Sequence, residues 1–310
     1  MRFIQRLSPG LAYACLLAGL FAGHPRTAFA APVTFVTALP VADNQVFTRF
    51  NWDPAFDSQD IVRSQFPSDL AYGLSGRWTI FTTFDPVYLS IHQATPSGPS
   101  ETELGGLGDT LAFARYTLFS RDTPKSTLRV APLAGLYLPS GSNTLSDSSG
   151  LLPASIQTGS GSMAPYGGVA FGCNGPKYGM AADSTFRHNP VTDVGETPGD
   201  QFRADGQSEL RLYPHTLPEL GLPKELWLSV EENYQHDSLT HLAGRITPDS
   251  SKSSFDVDAI VEYATLHYEI GAGMQVPAVQ DVASPNDVLE KHKLLFFTEY
   301  YFSGFSRRRQ

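Results

Sequence analysis

Charge is scarce in this chain. Only 17% of its 310 residues are Asp, Glu, Lys or Arg, against 41% hydrophobic and 12% aromatic. Cysteine is scarcer still, with Cys15 in an N-terminal apolar run and Cys173 alone beyond it. A disulfide within the body of the chain is therefore excluded, and stability must come from packing and hydrogen bonding. The charge that is present leans acidic, at a net −9. That argues against a nucleic-acid partner, whose phosphates need a basic patch. Beyond residue 30 no apolar run approaches the ~20 residues a spanning helix needs, which excludes an α-helical membrane protein. Helical periodicity is nearly absent as well.

The N-terminus carries a clear pattern. Arg2 and Arg6 precede the apolar stretch Leu11–Ala22, and Ala28-Phe29-Ala30 supplies small residues for a leader peptidase. This predicts a secretory signal over 1–30, cut after Ala30. Residues 31–310 remain, and loss of Arg2, Arg6 and Arg26 takes the net charge from −9 to −12. An uncleaved anchor would need a longer apolar run. A lipoprotein site at Cys15 is set aside, because Ala12-Tyr13-Ala14 lacks the usual leucine and the apolar run continues past it.

In the exported part, apolar residues recur at every second position, and turn residues separate the runs. Leu226, Leu228, Val230 and Tyr234 share one face of a segment whose other face is Ser229, Glu231, Asn233, Gln235 and Asp237. Phe255 to Tyr263, Leu266 to Val276 and Leu294 to Phe302 repeat the pattern, and 110–118, 128–138 and 202–213 carry noisier versions. Asn174-Gly175-Pro176, Ser75-Gly76 and Asp122-Thr123-Pro124 read as short turns. Longer links are expected at 93–104, 140–158, 189–199, 239–253 and 279–290. Short turns alternating with long loops, strands of about ten residues and aromatic strand ends predict an all-β fold, an antiparallel transmembrane β-barrel of about twelve strands. A soluble β-sandwich also alternates. It does not call for a final strand with aromatics at every second position, the kind of signal that outer-membrane assembly machinery reads.

Four ordered stretches carry a resemblance: Ala71 to Arg77, Gly106 to Asp109 running into Ala114 to Tyr116, Ala131 to Gly141, and Thr158 to Ser162. With them the chain resembles, across most of 44–302, the outer-membrane transporter family named for the MetA pathway of phenol degradation. The resemblance implies a β-barrel channel for small organic compounds, often hydrophobic or aromatic, with no catalytic residues and no cofactor. Family members usually stop at a terminal aromatic, whereas here Ser303 to Gln310, with Arg307, Arg308 and Arg309, follow Phe302.

In such a barrel the polar faces point inward. The expected lumen-facing residues are Asp109, Arg115, Arg129, Arg187, Arg203, Asp205, Glu209, Arg211, Glu231, Glu262, Glu269 and Glu299, forming a charged lining across which a solute passes. Phe113, Tyr137 and Tyr301 are inward aromatics. The expected partners are outer-membrane lipids, a small-molecule solute, and the barrel-assembly machinery acting on Leu294–Phe302. The expected location is the outer membrane of a Gram-negative bacterium. A second reading is a structural or surface-interaction barrel whose lumen is closed by the Ser/Gly-rich loop at 140–160. A third is a lipid-modifying enzyme using His236 with Ser238, although surface-loop histidines are commoner than catalytic ones. No metal site is expected: His236 and His241 lack a further ligand at suitable spacing, as does His188. Cys173 is placed in a turn, as a packing residue.

Overall fold

The computed structural model describes residues 32–303, apart from 59–60, 96–97, 148–149, 152–156, 193–194, 217–223, 249, 266 and 283–288. The leader predicted over 1–30 and the tail after Ser303 lie outside the described residues. Every regular element among the described residues is a β-strand, and twelve wall strands close into an antiparallel barrel.

The wall begins with β1 (Gln45–Asp57). The second wall strand is β2 (Ile61–Gln65) and β3 (Ser68–Gly73), parted at Phe66-Pro67. The third is β4 (Trp78–Phe84) and β5 (Pro86–Thr95), parted at Asp85. The fourth is β6 (Gly98–Leu107), β7 (Thr110–Tyr116) and β8 (Phe119–Thr123). The fifth is β9 (Ser126–Leu138). A two-residue pair, β10 (Ser146–Asp147) and β11 (Gly150–Leu151), sits in the following loop. Then come β12 (Ala164–Asn174) and β13 (Tyr178–Arg187), the short β14 (Glu196–Thr197), and β15 (Gln201–Tyr213) and β16 (Glu225–Asp237). The short β17 (His241–Leu242) and β18 (Arg245–Ile246) precede β19 (Lys252–Ala264), β20 (Tyr268–Val282) and β21 (Glu290–Ser303). Each wall strand pairs antiparallel with its sequence neighbour, and β21 returns to β1, with Val46 opposite Phe302 and Arg49 opposite Glu299. Closure leaves no strand edge bare to lipid, where an unsatisfied backbone group would cost several kcal/mol.

Alternation decides which way the side chains point. On β16, Trp227, Ser229, Glu231 and Asn233 are buried, while Val230 is exposed. Trp52, Ile80, Val169, Phe171, Val261, Ile270, Met274 and Phe296 are exposed on other wall strands. This outward apolar band is what a bilayer requires. The tight turns at 74–77, 124–125 and 175–177 mark one end, and the longer connections that follow β9, β13 and β16 mark the other.

Three expectations need correction. The link expected at 93–104 is largely strand, the tip of the β5–β6 pair. Cys173 lies in β12, opposite Met180 and Leu128, and not in a turn. The third concerns the barrel's interior. The sequence pointed to loop 140–160 as the candidate closure, but the chain segment found inside the barrel is 32–43, just before β1.

That segment is almost uncharged, and it packs where the wall turns apolar. Val33, Phe35, Ala38 and Val41 are all buried. Three of the four apolar clusters among the described residues include one of them. Ala38 packs with Leu111, Phe113, Ala131, Leu133 and Ala170. Val33 packs with Ile260, Leu295 and Phe297, and Val41 with Phe47 and Ala71. Where the segment joins β1, a Cβ on Gly73 would collide with the carbonyls of Ala42 and Val41, so the close approach requires glycine there.

Candidate functional site

Polar side chains of the wall reach in and hold the internal segment by its backbone. Glu231 Oε1 accepts from Val33 N at 2.7 Å, and Glu231 Oε2 accepts from Thr34 N at 3.2 Å and from Thr34 Oγ1. Asp183 Oδ2 accepts from Val36 N at 3.1 Å. Arg115, 1% exposed, donates to the carbonyls of Thr37 and Leu39. Arg49 donates to the carbonyl of Val33 at 3.3 Å. A segment outside any sheet has backbone groups that a buried site must satisfy, and charged partners satisfy them most strongly.

Segment and wall together enclose a cavity of about 690 Å3. Its two sides differ in chemistry. One is aromatic: Phe81 on β4, Phe113 on β7, Tyr137 on β9 and Tyr166 on β12. Register explains this. Phe81 and Phe113 are cross-strand partners and stack at 4.6 Å with an interplanar angle of 1°. Phe113 and Tyr166 both face Gly135, which has no side chain, so their rings meet edge-on across it at 5.9 Å. Tyr137 meets Tyr166 edge-on at 5.6 Å. Cations end the ladder, with the Arg115 guanidinium 4.7 Å from the Phe81 ring and that of Arg187 4.1 Å from Tyr137. The facing side is polar: Arg203, Asp205, Asn233, Gln235, Asp256, Gln275 and Lys293. Arg203 pairs with Asp205 at 3.4 Å, and Lys293 donates to Gln275 at 2.6 Å.

The twelve charged residues expected from the sequence do not form one lining. Asp109 accepts from Gly141 N and Ser160 N, tying down both ends of loop 139–163, and lies 3.8 Å from Arg187. Arg115, Arg129, Arg203 and Asp205 border the cavity. Arg129 pairs with Asp122 near a tight turn, at 2.7 Å. Arg115 and Glu231 bind the segment. Glu209, Arg211, Glu262, Glu269 and Glu299 are buried in the half of the barrel nearer the tight turns. There Arg211 lies 3.3 Å from Glu225 and Glu299 lies 2.6 Å from Arg49. The Glu209 side chain folds across Gly179, where a Cβ would strike it.

Several participants escaped the sequence reading. The 32–43 segment gives no strand pattern, although its lack of charge before Asp43 is a burial signal. Arg49, Phe81 and Tyr166 were outside the expected set because their roles depend on neighbours far along the chain, whereas Asp183 alternates on the polar face and was expected among the inward acids. The expected inward aromatics Phe113, Tyr137 and Tyr301 do line the cavity, but Trp227, buried between polar neighbours on β16, was not expected.

The catalytic pair His236–Ser238 is not formed: His236 Nδ1 lies 2.9 Å from Ser253 Oγ. His188 sits 2.9 Å from Asp200. Among the described residues no group of three or more His, Cys, Asp or Glu has the geometry to hold a metal ion.

Neither a family description nor a curated protein matches the sequence. Solved structures do match. The chain is similar to the COG4313 outer membrane channel from Pseudomonas putida F1, with a TM-score of 0.63 at 13% identity over 88% of this chain and 100% of that one. The chain has the closed twelve-strand fold of an outer-membrane β-barrel. The NanC porin aligns over 83% of this chain and 99% of its own at 9% identity, with a TM-score of 0.45. The CymD monoaromatic hydrocarbon channel aligns over 84% and 89% at 9% identity, with a TM-score of 0.37.

Proposed function

We propose that this barrel is a channel for a small organic solute with an aromatic or other apolar face, and that it is a transporter and not an enzyme. The observation that carries this reading is the two-sided cavity. An aromatic ladder offers a flat apolar surface worth about 0.5–1.5 kcal/mol per ring contact beyond area burial. The polar side opposite can hold a hydroxyl or charged substituent, the usual division of labour in a small-molecule site. The charged residues expected from the sequence then act as a lining at the cavity and as fasteners below it. Outer-membrane lipids surround the wall, and Leu294–Phe302 is the strand for the assembly machinery to read.

Planar-bilayer recording tests this. The wild-type barrel should conduct weakly, and a variant lacking 33–41 severalfold more. A monoaromatic solute should reduce the current more than an aliphatic one of equal charge and size. Phe113→Ala with Tyr166→Ala should abolish that difference. Equal block by both solutes would remove the aromatic reading. A second reading, a structural barrel with a closed lumen, is favoured by the segment lying inside. It would prevail if removal of 33–41 produced no conductance.

A further inference from the structure

We propose that the solute of the cavity is an arylalkyl amine, held as its ammonium by Asp53 and Asp256 with Asn51 beside them. The proposal rests on the solute reading given above and names the charge of that solute.

Every cation bordering the cavity is already engaged. Arg49 lies 2.6 Å from Glu299 and donates to the Val33 carbonyl. Arg115 gives both terminal nitrogens to the carbonyls of Thr37 and Leu39. Arg129 pairs with Asp122 at 2.7 Å. Lys293 donates to Gln275 at 2.6 Å and lies 3.7 Å from Glu290. Arg203 is the most open of the five, yet it is drawn to both Asp183 and Asp205 and lies 3.4 Å from the latter. An anionic solute would have to break one of these arrangements to find a partner.

The acids divide differently. Asp69 lies 3.8 Å from Arg49 and accepts from Thr83 Oγ1 at 2.7 Å. Asp183 accepts from Val36 N, and Asp205 has Arg203. Asp53 has no hydrogen bond and no ion pair among the described residues. Asp256 has Ser254, two residues along its own strand, as its hydrogen-bond partner. Lys293 acts on both from a distance and on Asp258 as well, so one ammonium serves three carboxylates. Arg49 and Arg203, engaged elsewhere, act on Asp53 and Asp256 more weakly. Asn51 is a second, independent sign. It is 8% exposed, borders the cavity between Arg49 and Asp53 on β1, and its Oδ1 has no hydrogen-bond partner among the described residues. Buried acceptors are normally satisfied, and an open one calls for a donor from elsewhere. The open groups of this side are thus acceptors, two of them carboxyl groups. A primary ammonium brings three donors and a positive charge, and that charge favours the ionised carboxylates. A phenol brings one donor and no charge, and an aromatic carboxylate adds acceptors where they are already in excess. The ring of the amine lies on the Phe113–Tyr166 ladder. A cavity of about 690 Å3 falls within the roughly 300–1,000 Å3 of small-molecule sites, so it has room for ring and ammonium together.

The test is equilibrium dialysis of the full-length barrel in detergent at neutral pH, with uptake by micelles alone subtracted. The probes are phenethylamine, phenethyl alcohol and phenylacetate, which share a ring and differ in charge. Phenethylamine should bind at least tenfold more tightly than phenylacetate and at least fivefold more tightly than phenethyl alcohol. Asp53→Asn with Asp256→Asn should bring the ratio of amine to alcohol affinity close to one. Heat-modifiable migration on gels reports folding of each variant. Should the double variant fail to fold, Asp53→Asn alone should at least halve that ratio and is read in the same way. Phenylacetate or phenethyl alcohol binding as tightly as the amine overturns the proposal and leaves the aromatic solute reading standing. An amine preference that survives intact in the Asn variant overturns the assignment to these carboxylates. Binding of none of the three above the micelle background removes the solute reading itself, and the proposal with it.

Discussion

Arg115 illustrates how a single side chain serves two functions at once. Its guanidinium donates to two carbonyls of the internal segment and lies over the Phe81 ring. Hydrogen bonds to a charged donor are worth about 1.5–3 kcal/mol each. Arg115→Ala should therefore loosen the segment by about 3 kcal/mol, roughly a hundredfold in the fraction released. Mean bilayer current should rise while the heat-modifiable gel shift persists; an unchanged current would mean that the apolar contacts alone hold the segment. Arg115 and Glu231 were legible as inward residues because they oppose lipid-facing neighbours at period two. What they touch was not legible. Thr37 lies 78 residues from Arg115, and Val33 lies 198 from Glu231. No local pattern encodes those meetings.

At the scale of elements, the same contrast separates strand from segment. The wall strands announced themselves because each must show lipid one face and protein the other. β16, β19 and β21 read almost directly from the chain. The breaks at Phe66-Pro67 and Asp85 were hidden, since a strand halved by a kink still alternates on either side. Segment 32–43 follows neither period because it has no lipid face; it is fitted to a concave surface built by other strands. The seam formed by β21 is testable. Its last pairs set Phe47 opposite Tyr301, Val46 opposite Phe302 and Gln45 opposite Ser303, and Phe302 is 6% exposed. A chain ending at Tyr300 loses all three and should accumulate unfolded, without heat-modifiable migration. A chain ending at Ser303 keeps the seam and should assemble as the full-length protein does. Failure of the Ser303 version would show that the residues beyond β21 are needed for assembly.

For the whole molecule, the interior carries more acid than base. Asp183, Asp205, Glu209, Asp258, Glu262 and Glu269 are buried, and Arg203, Arg211 and Lys293 answer only part of that charge. A lumen biased to one sign selects the opposite ion. In a potassium chloride gradient, the barrel lacking 33–41 should show a reversal potential on the cation side. Glu209→Gln with Asp258→Asn should move it toward zero. Anion preference in the parent barrel would mean that these carboxylates hold protons. The net charge of −9 hinted at this bias, but only folding showed that the surplus is turned inward.

The wall holds the internal segment through Glu231, 198 residues away from Val33, and this has a bearing on biogenesis. If residues 1–30 are the secretory leader that the sequence predicts, segment 32–43 is exported first and is among the last parts to find its place, because its partners on β13 and β16 follow much later. Contacts so distant in sequence form slowly. Until then, on that expectation, the segment would be without its wall partners. A periplasmic chaperone that grips uncharged, apolar stretches would find its first binding site there, and would have to release it before the barrel seals.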